Sequence, residues 1–166
     1  MTYKTLPTDE WETPQDLFNK LKKEFPFTLD AAATHTNTKC DKWLSLLDND
    51  ALTTNWKSTS NYVWLNPPYS KGNIELFMRK AYLESISKGC TVVCLVRMDP
   101  STKWWQNFVH NKAAQVRMIS RRIKFVGAKD NYPFPSAIVV YTTDPKYIIL
   151  DEENSRLTEY LLWNWK

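Results

Sequence analysis

Residues 91–96 form an unbroken apolar run, Thr-Val-Val-Cys-Leu-Val, which constrains the fold more than any other feature of the sequence. A short run without alternating polar residues is typical of a strand that is buried on both faces of a parallel sheet. Crossover helices join such strands, and a helical pattern over residues 74–86 directly precedes the run, with Gly89 placed to end the helix. The sequence therefore predicts an α/β domain with a mostly parallel sheet.

The N-terminal part predicts a helix followed by a strand. Thr13 and Pro14 are typical of the N-cap and the first residue of a helix, and residues 17–25 place apolar side chains at helical spacing. Pro26 ends this pattern, and residues 27–31 then predict a short strand. Because open α/β sheets bind ligands at the carboxyl ends of their strands, we expect the ligand cleft at that edge.

The C-terminal part changes character, because three predicted strands follow one another with only turns between them. These strands are residues 116–119, 122–126 and 136–141. They predict an antiparallel C-terminal edge on the sheet. Apolar side chains at residues 157, 160, 161 and 165 predict a terminal helix that docks on the body or on a second subunit. At 166 residues, the whole chain is predicted to form a single domain.

Residue counts argue against several kinds of site. The 3 glycines, Gly72, Gly89 and Gly127, are too few and too scattered for a glycine-rich phosphate loop. The 3 cysteines lack C-x-x-C spacing and there are only 2 histidines, which predicts neither a metal site nor a disulfide framework. No apolar run reaches the ~20 residues that span a bilayer, so we expect a cytoplasmic protein without a membrane partner. The formal charge of +4 is compatible with a polyanionic partner but does not establish one.

The sharpest local motif is Asn66-Pro67-Pro68-Tyr69, directly after the predicted strand at residues 62–65. These residue types suit methylation of an exocyclic amine on a base, whose lone pair is delocalised into the ring. Hydrogen-bond acceptors aimed at the amine hydrogens favour the geometry that frees this pair, and the Asn66 side chain and the Pro67 carbonyl are such acceptors. The prolines stiffen the turn, and Tyr69 offers a face for stacking the base. The alternative is a turn that only ends the strand, with Tyr69 packing on the core.

A set of motifs resembles the phage-type DNA N-6-adenine methyltransferases, a Dam-like family with a Rossmann-like S-adenosylmethionine-dependent methyltransferase fold. The matching segments are residues 11–14, 27–33, 50–52 with Trp56, 66–69, 102–105 and 133–141. They occur in the order of the family, across most of the chain. The segment 144–166 is a C-terminal extension outside the resemblance.

The resemblance implies S-adenosylmethionine as methyl donor. The cofactor-binding residues it implies are Trp11, Thr13, Pro14, Asp30, Ala31 and Asp50. A carboxylate suits the ammonium group and the ribose hydroxyls of this cofactor, because all of them donate hydrogen bonds. The alternatives are structural: capping of the first helix for the first three residues, a strand-end cap for Asp30, and turn formation for Asp48 and Asp50.

If the partner is DNA, its phosphates are expected at the basic residues Lys71, Arg121, Arg122 and Lys124, for which a solvated edge is the alternative. The target adenine would have to leave the base stack. The expected function is an adenine-N6 DNA methyltransferase of a phage or prophage, acting in the cytoplasm of the bacterial host. A methyltransferase for RNA or protein amides and an inactive DNA-binding module are the alternatives.

Overall fold

The computed structural model describes residues 11–45, 51–70 and 72–166, and a seven-stranded sheet forms its centre. The helices are α1 (Gln15–Lys22), α2 (Asn73–Lys88) and α3 (Lys103–Phe108). The strands are β1 (Leu29–Asp30), β2 (Lys42–Trp43), β3 (Tyr62–Leu65), β4 (Thr91–Arg97), β5 (Gln115–Ile119), β6 (Ser136–Tyr141), β7 (Ile149–Leu150), β8 (Arg156–Leu157) and β9 (Glu159–Trp163). Among the described residues, no helix is both long enough and apolar enough to cross a bilayer.

The sheet has the strand order β2-β1-β3-β4-β6-β5-β9, while β7 and β8 pair with each other outside it. Strands β1 to β4 are parallel to their sheet neighbours in this half. Strand β6 runs antiparallel to both β4 and β5, and β9 lies parallel to β5. The predicted fold class, a mostly parallel α/β sheet with antiparallel pairing in its C-terminal part, is confirmed, and β6 lies between its two partners rather than at the rim.

Each face of the sheet is covered, as the apolar run at residues 91–96 predicted. On one face, Val92 and Cys94 pack beneath α2 and α3. On the other face, Val93 and Leu95 pack beneath α1 and the segment 120–135. Successive side chains of a strand point to opposite faces, so a strand buried on both faces carries no alternating polar residues. Gly89 ends α2 in the left-handed conformation at φ +74°, which a glycine adopts without steric strain.

The predicted strand at residues 122–126 is wrong, because this segment is irregular and lies outside the sheet. Its alternation is real, since Ile123 and Phe125 are buried while Arg122 and Lys124 are exposed. The backbone hydrogen bonds of the segment go elsewhere: the Val126 N–H donates to the Glu12 carbonyl, and the Ile123 carbonyl accepts from Tyr132. An extended segment that covers the edge of a core shows the same pattern as a strand.

The predicted terminal helix is also wrong, because residues 159–163 form β9 and residues 156–157 form β8. Apolar side chains at positions 157, 160 and 161 mimic helical spacing, but burial along β9 alternates as in a strand. Leu162 is 71% exposed, whereas Trp163 packs against the core. The C-terminal extension thus completes the sheet beside β5.

Candidate active site

The carboxyl ends of β1 and β3 lie side by side, at the point where the chain reverses its direction across the sheet. Strand β2 follows β1 on one side, and β3 then pairs with β1 on the other. Asp30 ends β1 and is in register with Trp64, two residues before Asn66. Open α/β sheets form a ligand crevice at such a reversal. The topology therefore brings the predicted acid and the predicted catalytic turn to one edge.

The side-chain amide of Asn66 is held by the segment that precedes α1. Its Nδ2 donates to the Trp11 carbonyl at 2.5 Å and to Thr13 Oγ1 at 3.2 Å. A backbone carbonyl only accepts, so Nδ2 must face it, and this contact fixes the orientation of the amide. Asn66 Oδ1 is buried and has no hydrogen-bond partner among the residues that the structure describes. Buried polar atoms are normally paired, so this oxygen is an acceptor available to a ligand donor.

Thr13 does not cap helix α1, although its position before Pro14 in the sequence predicts that it does. Helix α1 begins at Gln15, Pro14 occupies the N-cap position, and the N–H of Leu17 in the first turn donates to the Asp16 side chain. Thr13 is 2% exposed, and its hydroxyl accepts from Asn66 instead. The predicted N-cap role is wrong because the helix begins one residue later than the Thr-Pro pattern indicates. The predicted cofactor contacts of Thr13 and Pro14 stay predictions.

The rest of the turn is anchored to the neighbouring strand. Pro67 and Pro68 are buried, and the Tyr69 hydroxyl donates to the Leu95 carbonyl of β4 at 3.1 Å. Burial raises the pKa of Tyr69 well above its ordinary value, so this phenol stays protonated and keeps donating. This bond ties the end of the turn to the middle of β4. The stacking of a base on Tyr69 stays a prediction.

Five aromatic side chains, which we call the aromatic cluster, line one side of this turn. They are Trp11, Tyr69, Phe125, Tyr132 and Phe134. Ring centroids lie 5.3 Å apart for the Trp11–Phe125 pair, 5.9 Å for Tyr69–Tyr132 and 5.5 Å for Tyr132–Phe134. The sequence prediction included only the first two of the five. A usable signal was present, because Phe125, Tyr132 and Phe134 fall within ten residues of one another beside the basic residues.

The Asp30 carboxylate organises the connection between β1 and β2. Its Oδ2 accepts from the Lys39 N–H at 3.0 Å and its Oδ1 from the Ala32 N–H at 3.4 Å. Burial raises the pKa of Asp30 to about 6, and the two backbone donors only partly offset this effect. The ammonium group of Lys39 pairs with Glu12 at 2.8 Å instead. The carboxylate therefore has hydrogen bonds but no direct salt-bridge partner among the described residues.

The other predicted residues fall into three groups. Ala31 is fully buried, and its N–H donates to the Trp64 carbonyl, which extends the β1–β3 pairing. The basic residues Arg121, Arg122 and Lys124 are exposed on the segment that carries Phe125. Asp48, Asp50 and Lys71 lie outside the described residues, so their predicted roles stay predictions.

A pocket of about 330 Å³ lies beside the amino ends of β1 and β2, lined in part by Pro26, Thr28 and Asp41. Lys39 also lines this pocket, and its N–H donates to Asp30, so the pocket adjoins the connection that Asp30 organises. Within the described ranges, no three His, Cys, Asp or Glu side chains are grouped so that they could hold a metal ion.

Comparisons with known proteins show which family this chain resembles. Residues 2–147 match the family model described as DNA N-6-adenine-methyltransferase (Dam). A protein named DNA N-6-adenine-methyltransferase from Haemophilus phage HP1 (strain HP1c1) is 36% identical over 120 residues, which is 71% of this chain and 66% of the relative. A protein of the same name from Escherichia phage T1 is 34% identical over 106 residues, 63% of this chain and 42% of the relative. The matched region thus spans less than two thirds of the length of each relative.

Proposed function

This chain belongs to the DNA N-6-adenine-methyltransferase (Dam) family, and from that premise we propose that it transfers a methyl group from S-adenosylmethionine to the N6 amino group of adenine in DNA. We further propose that it is encoded by a phage or prophage, since both relatives come from phages. The observation that carries the proposal is the orientation of the Asn66 amide: Nδ2 donates to Trp11 and Thr13, and Oδ1 has no hydrogen-bond partner among the residues that the structure describes.

Asn66 Oδ1 is the acceptor that the reaction needs. An adenine N6 amine is a poor nucleophile because its lone pair is delocalised into the ring. A fixed acceptor on one amine hydrogen stabilises the positive charge that develops on nitrogen as it attacks. The Pro67 carbonyl is the proposed acceptor for the second hydrogen, and the two buried prolines hold both acceptors in place. Once the methyl group is bonded, the positively charged nitrogen releases one proton to water, because amide and carbonyl oxygens are too weakly basic to keep it.

The residues at the carboxyl edge of β1 fit the proposed cofactor. The buried Asp30 carboxylate, whose pKa is raised to about 6, has no salt-bridge partner among the described residues, and a ligand ammonium group would supply one. We therefore propose that Asp30 binds a cationic or hydroxyl group of S-adenosylmethionine, with Trp11, Thr13, Pro14, Ala31 and Asp50 as further contacts. When bound, this cofactor supplies an electrophilic methyl group on a sulfonium.

The DNA contacts are proposed on charge and position. Arg121, Arg122 and Lys124 are exposed on the segment that also delivers Phe125 to the aromatic cluster, and Lys71 follows the turn by two residues. A cationic surface beside an aromatic site is the arrangement that holds a phosphate backbone while one base leaves the stack. Phe134, which is 39% exposed, is the member of the aromatic cluster that would contact the extruded adenine, because Phe125 and Tyr132 are buried.

The test is the substitution Asn66→Ala, assayed by transfer of a labelled methyl group to DNA. Removal of one fixed acceptor or donor in an active site typically lowers the rate about 10²- to 10³-fold, and we expect at least this loss here. The matched control is Asn107→Ala, which removes an exposed amide on α3 and should leave the rate unchanged. Cofactor binding by calorimetry checks that the Asn66→Ala protein is folded.

Two results would contradict the proposal. A rate near that of the unaltered protein for Asn66→Ala would remove Asn66 from the chemistry. Labelling of RNA or of a protein substrate in preference to DNA, with all three supplied side by side, would replace the proposed acceptor.

A further inference from the structure

Arg97 lies at the same edge of the sheet as the catalytic turn, although the sequence prediction assigned it no role. It ends β4, the strand that pairs in parallel with β3. Its cross-strand partner is Ser136, the first residue of β6. Because side chains alternate along a strand, Arg97 shares the face of Val93 and Leu95, the face that the aromatic cluster covers. Arg97 therefore stands at the rim of the candidate site.

The guanidinium of Arg97 is held in a defined position. Its Cζ lies 3.8 Å from the ring centroid of Phe134, and its Nη2 lies 3.1 Å from Asp99 Oδ2. Stacking on an aromatic face restricts the side chain without using any of its N–H groups. A guanidinium has five N–H donors, and the contacts to Asp99 and to the Tyr132 hydroxyl use only part of them. The positive charge of Arg97 also partly offsets the rise in the pKa of Tyr132 that burial causes.

Exposure and pairing at this rim indicate a ligand rather than a purely structural contact. The side chain of Arg97 is 38% exposed, and Phe134 beneath it is 39% exposed. Next to Arg97 in the register, Ser136 is 1% exposed, and its hydroxyl has no hydrogen-bond partner within the described part of the chain. An exposed cation on a rigid support beside a buried, unpaired hydroxyl is an incomplete polar site.

We propose that Arg97, supported by Phe134, binds a backbone phosphate of the DNA strand that carries the target adenine. This inference rests on the proposed function and adds a phosphate site separate from the predicted basic residues. The aromatic cluster runs from Tyr69 at the turn through Tyr132 to Phe134 at the rim. A nucleotide whose base reaches Asn66 therefore leaves its phosphate on the rim side, where a planar guanidinium can take two phosphate oxygens at once.

The experiment compares Arg97→Gln with Arg79→Gln, which removes the same charge from an exposed position on α2. DNA affinity is measured at several salt concentrations with unrelated duplex sequences, and cofactor affinity is measured in parallel. For Arg97→Gln we expect DNA affinity to fall about tenfold on every sequence, with the slope of log affinity against log salt reduced by about one. Cofactor affinity and melting temperature should stay the same, and Arg79→Gln should resemble the unaltered protein.

A second variant, Arg97→Lys, tests the geometry of the contact. Lysine keeps the charge but lacks the planar guanidinium. The slope of log affinity against log salt should therefore return to that of the unaltered protein, while DNA affinity should stay several-fold weaker than in the unaltered protein. An unchanged salt slope and affinity in Arg97→Gln would overturn the inference. A change in the preferred sequence without a change in slope would also overturn it, because Arg97 would then read a base. Loss of DNA binding by the unaltered protein would instead contradict the proposed function.

Discussion

Two regions of the described sheet differ in how their buried polar groups are paired: the carboxyl edge around Asn66, which we call the near edge, and the lateral edge formed by β5 and β9, which we call the far edge. At the far edge, where β5 pairs with β9, Arg117 is 7% exposed and donates to both Glu24 oxygens, at 2.6 and 2.7 Å. It also donates to Gln115, which in turn donates to Glu159 of β9. At the near edge, the buried Oδ1 of Asn66 and the hydroxyl of Ser136 have no partner among the described residues.

This difference distinguishes polar groups that stabilise the fold from polar groups that are available to bind a ligand. The Arg117 network joins the turn that follows α1 to β5 and β9, three parts far apart in the chain, and each charged group in it has a partner. Leaving a buried polar atom unpaired costs free energy, and the described residues contain one more such atom, the Ser85 hydroxyl on α2. Asn66 is assigned to the site because its unpaired oxygen also lies in the turn at the carboxyl edge, whereas the paired network stabilises the fold.

The largest effect on stability should come from breaking the network. We expect Arg117→Met to lower the free energy of unfolding by about 2 kcal/mol, less than the 3–5 kcal/mol typical of a fully buried pair. The reason is that the side chain of Glu24 is 37% exposed and can regain water once Arg117 is gone. Urea denaturation measures the loss, and Arg79→Met on exposed α2 is the control. If the rate of methyl transfer per folded molecule also falls in Arg117→Met, the Arg117 network contributes to activity as well as to stability.

At Thr13 we expect a loss of activity rather than a loss of stability, because Thr13 contacts Asn66 and lies outside the Arg117 network. In Thr13→Val, the shape of the side chain is nearly kept, but Asn66 loses one of its two anchors, and we expect kcat to fall roughly tenfold. Thr13→Ser keeps the hydroxyl and should restore kcat to within about threefold. Cofactor affinity is measured beside kcat. If Thr13→Val weakens cofactor binding at unchanged kcat, Thr13 contacts the cofactor and does not position Asn66.

The near edge was largely predictable from the sequence, because its signals are local. The turn Asn66-Pro67-Pro68-Tyr69 follows its strand directly, and the apolar run at residues 91–96 gave the buried central strand. What local pattern could not supply was the partner of Asn66. The contact to Trp11 and Thr13 spans more than fifty residues and depends on where the chain returns in space.

The far edge was predicted poorly for a physical reason. The spacing of Leu157, Tyr160 and Leu161 fits a helix, but strand β9 exists because β5 offers it an open edge to pair with. The same applies to the segment 122–126, whose alternation reflects packing against the core while its backbone pairs with Glu12 and Tyr132. Strand formation is a tertiary property in both cases, and periodicity alone does not report it.

The smallest effect, and the one that tests the near edge by charge alone, is the pH dependence of cofactor binding. Burial raises the pKa of Asp30 from 3.8 to about 6, so the ligand-free fold holds this proton more tightly than the unfolded chain does. The stability that Asp30 contributes is therefore complete below about pH 3.8 and is lost as the pH rises through about 6.

The binding of a cationic ligand to Asp30 should depend on pH in the opposite direction. Such a ligand prefers the ionised carboxylate, so its affinity should rise as the pH rises through about 6. With a pKa near 6, about a quarter of Asp30 is ionised at pH 5.5, and calorimetry should show roughly fourfold weaker S-adenosylmethionine binding there than at pH 7.5. Asp30→Asn should bind weakly with no such pH dependence, whereas His35→Gln, which removes an exposed imidazole side chain, should keep it. Equal affinity at both pH values in the unaltered protein would mean that Asp30 stabilises the fold and does not belong to the site.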